Sequence, residues 1–178
     1  MNRTSFLPKC RTYPERQLRI STAPRYLPVV QKAIDTLDSF GVPYEVHVFS
    51  AHRTPIEAAE FTKGARKNGF GAIIAAAGMA AHLAGAIAAN TTLPVVGIPV
   101  CGTSFLGLDA LLSTVQMPSG IPVATVAVNG AANAALLCIE MLAIEDEGLA
   151  KALEAKRAKD TAAVLEKNRG VEERFNKD

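Results

Sequence analysis

The stretch GAIIAAAGMAAHLAG, residues 71–85, decides the fold. Gly71 to Ala77 is a continuous apolar run of strand length, and Gly78-Met79 then turns the chain into a helical segment, Ala80 to Ala89. A strand that is apolar on both faces belongs in a parallel sheet covered by helices on each side. Gly71 to Ala89 is also the nearest approach to a membrane span. Gly78, His82 and Gly85 interrupt it, and no run reaches the roughly 18 apolar residues a span needs.

The pattern repeats on either side. Upstream, Pro28 suits a first helical turn, Val30, Ala33, Ile34 and Leu37 recur at helical spacing, and Gly41 stands where a C-terminal cap belongs. Tyr44 to Ser50 (YEVHVFS) predicts a strand, Thr54-Pro55 a helix N-cap with its first-turn proline, and Asn68-Gly69 the end of that helix. Downstream, Val95 to Val100 and Pro122 to Val128 predict strands, with helices at Leu108 to Gln116 and Ala131 to Ile144. Strands alternating with helices give an α/β fold: three αβα layers around a doubly wound parallel sheet.

The two ends differ from this middle. Residues 1–26 scatter Arg11, Glu15, Arg16, Arg19 and Arg25 among Pro8, Pro14 and Pro24. Only Gln17 to Ser21 offers a short, half-polar strand, so the first strand is expected to be degraded or missing. The domain plan is an atypical, disordered segment 1–26, an α/β domain 27–144, and a charged helical arm 145–178 with its helix at 145–168. The arm is too polar for core and serves as a solvated face or as packing for a neighbouring subunit.

The chain has 178 residues, enough for one domain with a core of its own. Its net charge is +2, Trp is absent, and no basic block is interleaved with aromatics, which argues against a nucleic-acid partner. Cys10, Cys101 and Cys138 are odd in number and widely spaced, which fits neither a disulfide framework nor a zinc site and points to a reducing cytoplasm. The first ten residues lack the apolar run of a secretory signal.

Two motifs sit where strands end and helices begin, the edge at which open α/β sheets bind ligands. In SAHRTP (50–55), His52 can exchange a proton near neutral pH, and Arg53 can hold a phosphate or carboxylate through two parallel bonds. The hexapeptide alone also suits a surface His and Arg beside a cap. In GMAAHL (78–83), small residues let backbone approach a ligand, and His82 falls on the same sheet edge as His52. His47 alternates onto a strand face with Glu45 and Phe49, away from His52, so no metal site is expected. STVQMPSG (113–120) reads as a helix end and turn, and NGAANAA (129–135) as a helix start. Neither a phosphate loop of the ATP-binding type nor a nucleophile elbow occurs.

Together SAHRTP at 50–55, GMAAHLAG at 78–85, LPVVGIPV at 93–100, LLSTVQMPSGIPVATVAV at 111–128 and AANAALL at 131–137 resemble the class I 5-(carboxyamino)imidazole ribonucleotide mutases of purine biosynthesis. The resemblance runs from about Leu27 to about Ile144. It implies a flavodoxin-like fold in a homo-octamer, acting on a small nucleotide without metal or organic cofactor. The implied reaction is an isomerisation that moves a carboxylate from the exocyclic nitrogen to ring carbon 4. It implies that His52 is the catalytic proton shuttle and that Arg53 binds the phosphate. Ser50, Ala51, Gly78, Ala80, His82 and Leu83 match positions lining the pocket.

The resemblance fails at one place. Members of that family end an apolar first strand in Gly-Ser-x-Ser-Asp, which holds phosphate and ribose. Here the five positions before Leu27 are Thr22, Ala23, Pro24, Arg25 and Tyr26, so no binding role carries over to Ala23 or Tyr26. The change is abrupt enough to suggest a shifted reading frame upstream. The expected activity is the mutase, impaired by this loss. The rival readings are a related nucleotide carboxylase of the same superfamily and a catalytically degenerate subunit that still assembles.

Overall fold

The computed structural model describes residues 17–102 and 105–176. Five strands, β1 (Gln17–Thr22), β2 (Tyr44–Val48), β3 (Phe70–Gly78), β4 (Val95–Val100) and β5 (Ala124–Thr125), form one sheet in the order β2-β1-β3-β4-β5, every pair parallel. The helices are α1 (Leu27–Ser39), α2 (Pro55–Lys63), α3 (Leu83–Ala88), α4 (Leu108–Val115), α5 (Ala131–Ala143) and α6 (Glu147–Phe175). The chain moves one way from β1 to β2 and the other way from β2 through β5. Right-handed crossovers then put α1 on one face and α2, α3 and α4 on the other, which is the αβα sandwich expected.

Alternation along the central strands feeds both layers. Ala72, Ile74 and Ala76 of β3 pack with Val30, Ala33 and Leu37 of α1 and with Ala135, Cys138 and Ile139 of α5. Ile73 and Ala75 face Phe61, Leu83 and Ile87 on the opposite side. Burial pushes the Cys138 thiol up to about 12, so it stays protonated as a small apolar core group. Helix α1 ends as expected: Gly41 takes φ +65°, while the amides of Gly41 and Val42 donate to the carbonyls of Asp38 and Leu37. Helix α2 stops at Lys63, before the expected Asn68-Gly69, because Gly64 takes the cap position and turns follow.

The first strand is neither missing nor peripheral, which corrects the sequence expectation. β1 lies between β2 and β3, its Leu18 and Ile20 fully buried. Residues 17–26, placed in the atypical segment, form this strand and a 3-10 turn at Pro24–Tyr26; residues 1–16, with Cys10, lie outside the described residues. A half-polar strand can occupy the centre because Arg19 is compensated. Its guanidinium donates to the Phe61 carbonyl, lies 4.1 Å from the Phe70 ring centroid, and pairs with Glu45 of β2 at 3.3 Å. The Ser21 hydroxyl is fully buried and has no partner among the described residues.

Two elements differ in length from expectation. β5 keeps only Ala124 and Thr125 on the ladder, opposite Val96 and Gly97, because it is an edge strand entered through Pro122, which has no N–H to donate. α6 runs on to Phe175 with no buried residue; only Leu149 and Leu153, near its start, pack on the core. No helix among the described residues is long and apolar enough to cross a membrane.

The burial of β1 gives a direct test. Ile20→Ala should lower unfolding free energy by about 2–5 kcal/mol, read as a shift in the urea midpoint. A loss near zero would show that residues 17–22 are not in the sheet.

Candidate active site

The site forms where the connections after β1, β2 and β3 meet. Because β1 sits between β2 and β3, the chain leaves it toward one neighbour and later returns on the other side, which opens a crevice at the carboxyl ends of these strands. The crevice holds a cavity of about 620 Å³, in the range of small-molecule sites. Every sequence-predicted site residue lines it: Ser50, Ala51, His52, Arg53, Gly78, Ala80, His82 and Leu83.

Local hydrogen bonds shape the wall after β2. The Ser50 amide donates to Thr54 Oγ1 at 2.8 Å, and Thr54 donates back through its amide to the Ser50 carbonyl at 3.0 Å. Thr54 stands at the N-cap of α2 as expected, but its side chain is spent on Ser50 and caps nothing. Ser50 Oγ in turn accepts from the amides of His52 and Arg53 at 3.4 and 3.3 Å. The tight turn therefore presents the two side chains together at the cavity, both exposed.

The wall after β3 is held from a distance. The expected helix start at Ala80 moves to Leu83, because Met79 takes the left-handed conformation (φ 59°) and residues 79–82 form a loop. Such a conformation costs a non-glycine residue about 1–3 kcal/mol, so the surroundings must enforce it. Ser113 of α4 does so: its Oγ accepts from the Ala81 amide at 3.1 Å and lies 3.2 Å from the Met79 carbonyl and 2.5 Å from that of Asp109. Gly78 meets a second constraint, since a Cβ there would lie 2.5 Å from the Tyr26 hydroxyl and 2.9 Å from the Val100 carbonyl.

These two walls bring the histidines into contact. His52 Nε2 lies 2.9 Å from His82 Nδ1, with the rings edge-on at 77°. One of the two nitrogens must carry the shared proton, so the tautomer of each ring fixes that of the other. His47 stays apart, as read from the strand alternation. It stacks on Phe49, meets Phe61 edge-on, and lies 3.3 Å from Glu45 Oε2.

The remaining lining includes Pro24, Arg25, Tyr26, Val48 and Met79, and no Asp or Glu among the described residues. Two arginines and two histidines in an otherwise apolar crevice make a site for an anion. Sequence reasoning missed Tyr26 and Ser113 as supports. Ser113 bears no local signal, since what it holds lies 32 residues away.

The support of Ser113 is testable in isolation. In Ser113→Ala, hydrogen exchange at the Ala81 amide should rise by about tenfold, with a stability loss of about 1 kcal/mol. Unchanged exchange at Ala81 would remove Ser113 from the site's support.

Comparison with known proteins agrees with this geometry. The AIR carboxylase family profile matches residues 20–163. The chain is 50% identical over 147 residues to the N5-carboxyaminoimidazole ribonucleotide mutase of Pyrococcus horikoshii, covering 83% of each. It is 51% identical over 139 residues to the enzyme of the same name from Haemophilus influenzae, covering 77% of this chain and 85% of that one. The crystal structure of Treponema denticola PurE superposes with a TM-score of 0.78 at 22% identity, over 91% of this chain and 99% of that one, and shares its fold. With a profile match over most of its length and relatives at half identity, the chain belongs to the AIR carboxylase family.

Proposed function

We propose that this chain is an N5-carboxyaminoimidazole ribonucleotide mutase, an isomerase of purine biosynthesis that moves the carboxylate of its nucleotide from the exocyclic nitrogen to ring carbon 4. The observation that carries the reading is the contact of His52 with His82 at the rim of a cationic cavity that no carboxylate lines among the described residues. The names of the relatives at half identity support it.

The residues suit the steps. His52 enters as an imidazolium and gives its proton to the carbamate nitrogen as the N–C bond breaks toward nitrogen, which releases carbon dioxide. The electron-rich ring carbon 4 then attacks the carbon dioxide held in the cavity. The neutral imidazole takes the proton from carbon 4, which restores the ring and the imidazolium. One group must act first as acid and then as base, and an imidazole can do both because it holds a proton on either ring nitrogen. With Nε2 facing His82, the nitrogen left to exchange this proton is Nδ1. His82 orients the shuttle. Arg53 takes the phosphate, and Ser50, Ala51, Gly78, Ala80 and Leu83 shape the walls. The sequence of steps consumes no cofactor.

Assembly and place belong to the same reading. Phe105, Leu106, Leu108, Leu112 and Val115 are exposed along α4 and its approach, an apolar surface that favours self-association, and we assign it to a homo-octamer. A nucleotide isomerase of this kind works in the cytoplasm. The turn after β1 gives Ala23 and Arg25 where two hydroxyls were expected and Tyr26 where a carboxylate was, so binding is weakened by the loss of those hydrogen bonds.

His52→Asn should lower kcat by at least about 10²-fold while nucleotide binding stays within a few fold. Arg53→Ala should instead raise KM by about tenfold or more. Both are read by following conversion of the carbamate isomer to the 4-carboxy isomer. Unchanged turnover in His52→Asn would sink the assignment.

A further inference from the structure

We propose that Arg25 is a second phosphate-binding guanidinium of the cavity, acting with Arg53 and standing in for the hydrogen bonds that the turn after β1 lacks. This rests on the reading of the cavity as a nucleotide site. Position is the first argument. Thr22 at the end of β1 is paired with Val48 at the end of β2, so the turn carrying Arg25 and the turn carrying Arg53 leave the sheet side by side. Both side chains line the same cavity.

The second argument is what Arg25 lacks. Its guanidinium lies 4.8 Å from the Tyr26 ring centroid, and its Nη2 is 4.0 Å from Met79 Sδ, a weak acceptor. It has no carboxylate partner among the described residues, and neither has Arg53. Elsewhere in the chain Arg19 and Arg157 are paired with Glu45 and Glu140. Two guanidinium groups without a carboxylate partner, at a cavity lined by no acid among the described residues, favour an anion there.

The third argument is preorganisation. Tyr26 is buried beneath Gly78 and gives the guanidinium a fixed ring to lie against. A stacked guanidinium surrenders less rotamer freedom when it binds, and its planar fork matches phosphate oxygens in pairs. Lysine in this position would keep the charge and lose the fork.

The experiment is calorimetric titration of the full chain with ribose 5-phosphate and, separately, with ribose. The intact protein should prefer ribose 5-phosphate. Arg25→Ala and Arg25→Gln should each raise its Kd by about tenfold or more, and Arg25→Lys should recover part of the loss. Binding of ribose should be unaffected by all three. The slope of log Kd on log salt should also flatten in the Ala and Gln variants. Because Gln keeps most of the stem against Tyr26, a loss in Ala alone would be packing and would overturn the proposal. So would Kd values within twofold of the parent in both variants, or a parent with no preference for the phosphate. Turnover is measured separately. A chain that binds phosphate through Arg25 without isomerising the nucleotide refutes the mutase reading and leaves this inference standing.

Discussion

Strand β1 is hydrogen-bonded to β2 on one side and β3 on the other, and the cavity exists because of that position. Chains leaving adjacent parallel strands toward opposite faces must part, and the gap between them cannot be filled by either helix layer. His52 and Arg53 follow one neighbour, Met79 and His82 follow the other, and Arg25 and Tyr26 follow β1 itself. A slip of β1 by one residue would turn Leu18 and Ile20 toward the wrong layer and expose Arg19 to the apolar one.

The site is built from groups that are individually ordinary and jointly constrained. A histidine after a strand is a mobile surface group. Here the tight turn from Ser50 to Thr54 and the loop pinned by Ser113 set two such rings 2.9 Å apart. The absence of a lining carboxylate among the described residues does the rest, because a guanidinium with an acidic neighbour would already be neutralised. The same principle operates in reverse at Arg19, where Glu45 and two aromatic rings quench the charge and let a polar residue sit in the sheet.

The contrast between Arg19 and Arg25 shows why a central first strand is not legible in the amino-terminal sequence. Both are arginines in a half-polar stretch of sequence, six residues apart. Nothing local separates the one that is half-buried and paired from the one that is open and without a carboxylate partner among the described residues. Phe61, whose carbonyl accepts from Arg19, is 42 residues away, and a reading that sought a strand apolar on both faces had no means to find it. The end of β5 is unmarked in the sequence for a related reason. Its apolar run continues to Val128, but the ladder ends at Thr125: the amides of Val126 and Asn129 still donate to the β4 carbonyls of Gly97 and Pro99, while Pro99 has no N–H to return a bond.

By itself the sequence determined the alternation of strands and helices, the parallel sheet, and the placing of His52, Arg53 and His82 after strands. Those depend on the period of apolar residues and on turn chemistry, which act over a few positions. The tertiary structure alone decided that β1 is central, that His52 and His82 touch, that Ser113 holds Met79 in its left-handed conformation, and that Tyr26 fills the space under Gly78. Each of these joins residues far apart in the chain. Pairing of that kind is fixed by how the layers pack and by which buried charges find partners, and neither leaves a local mark in the sequence.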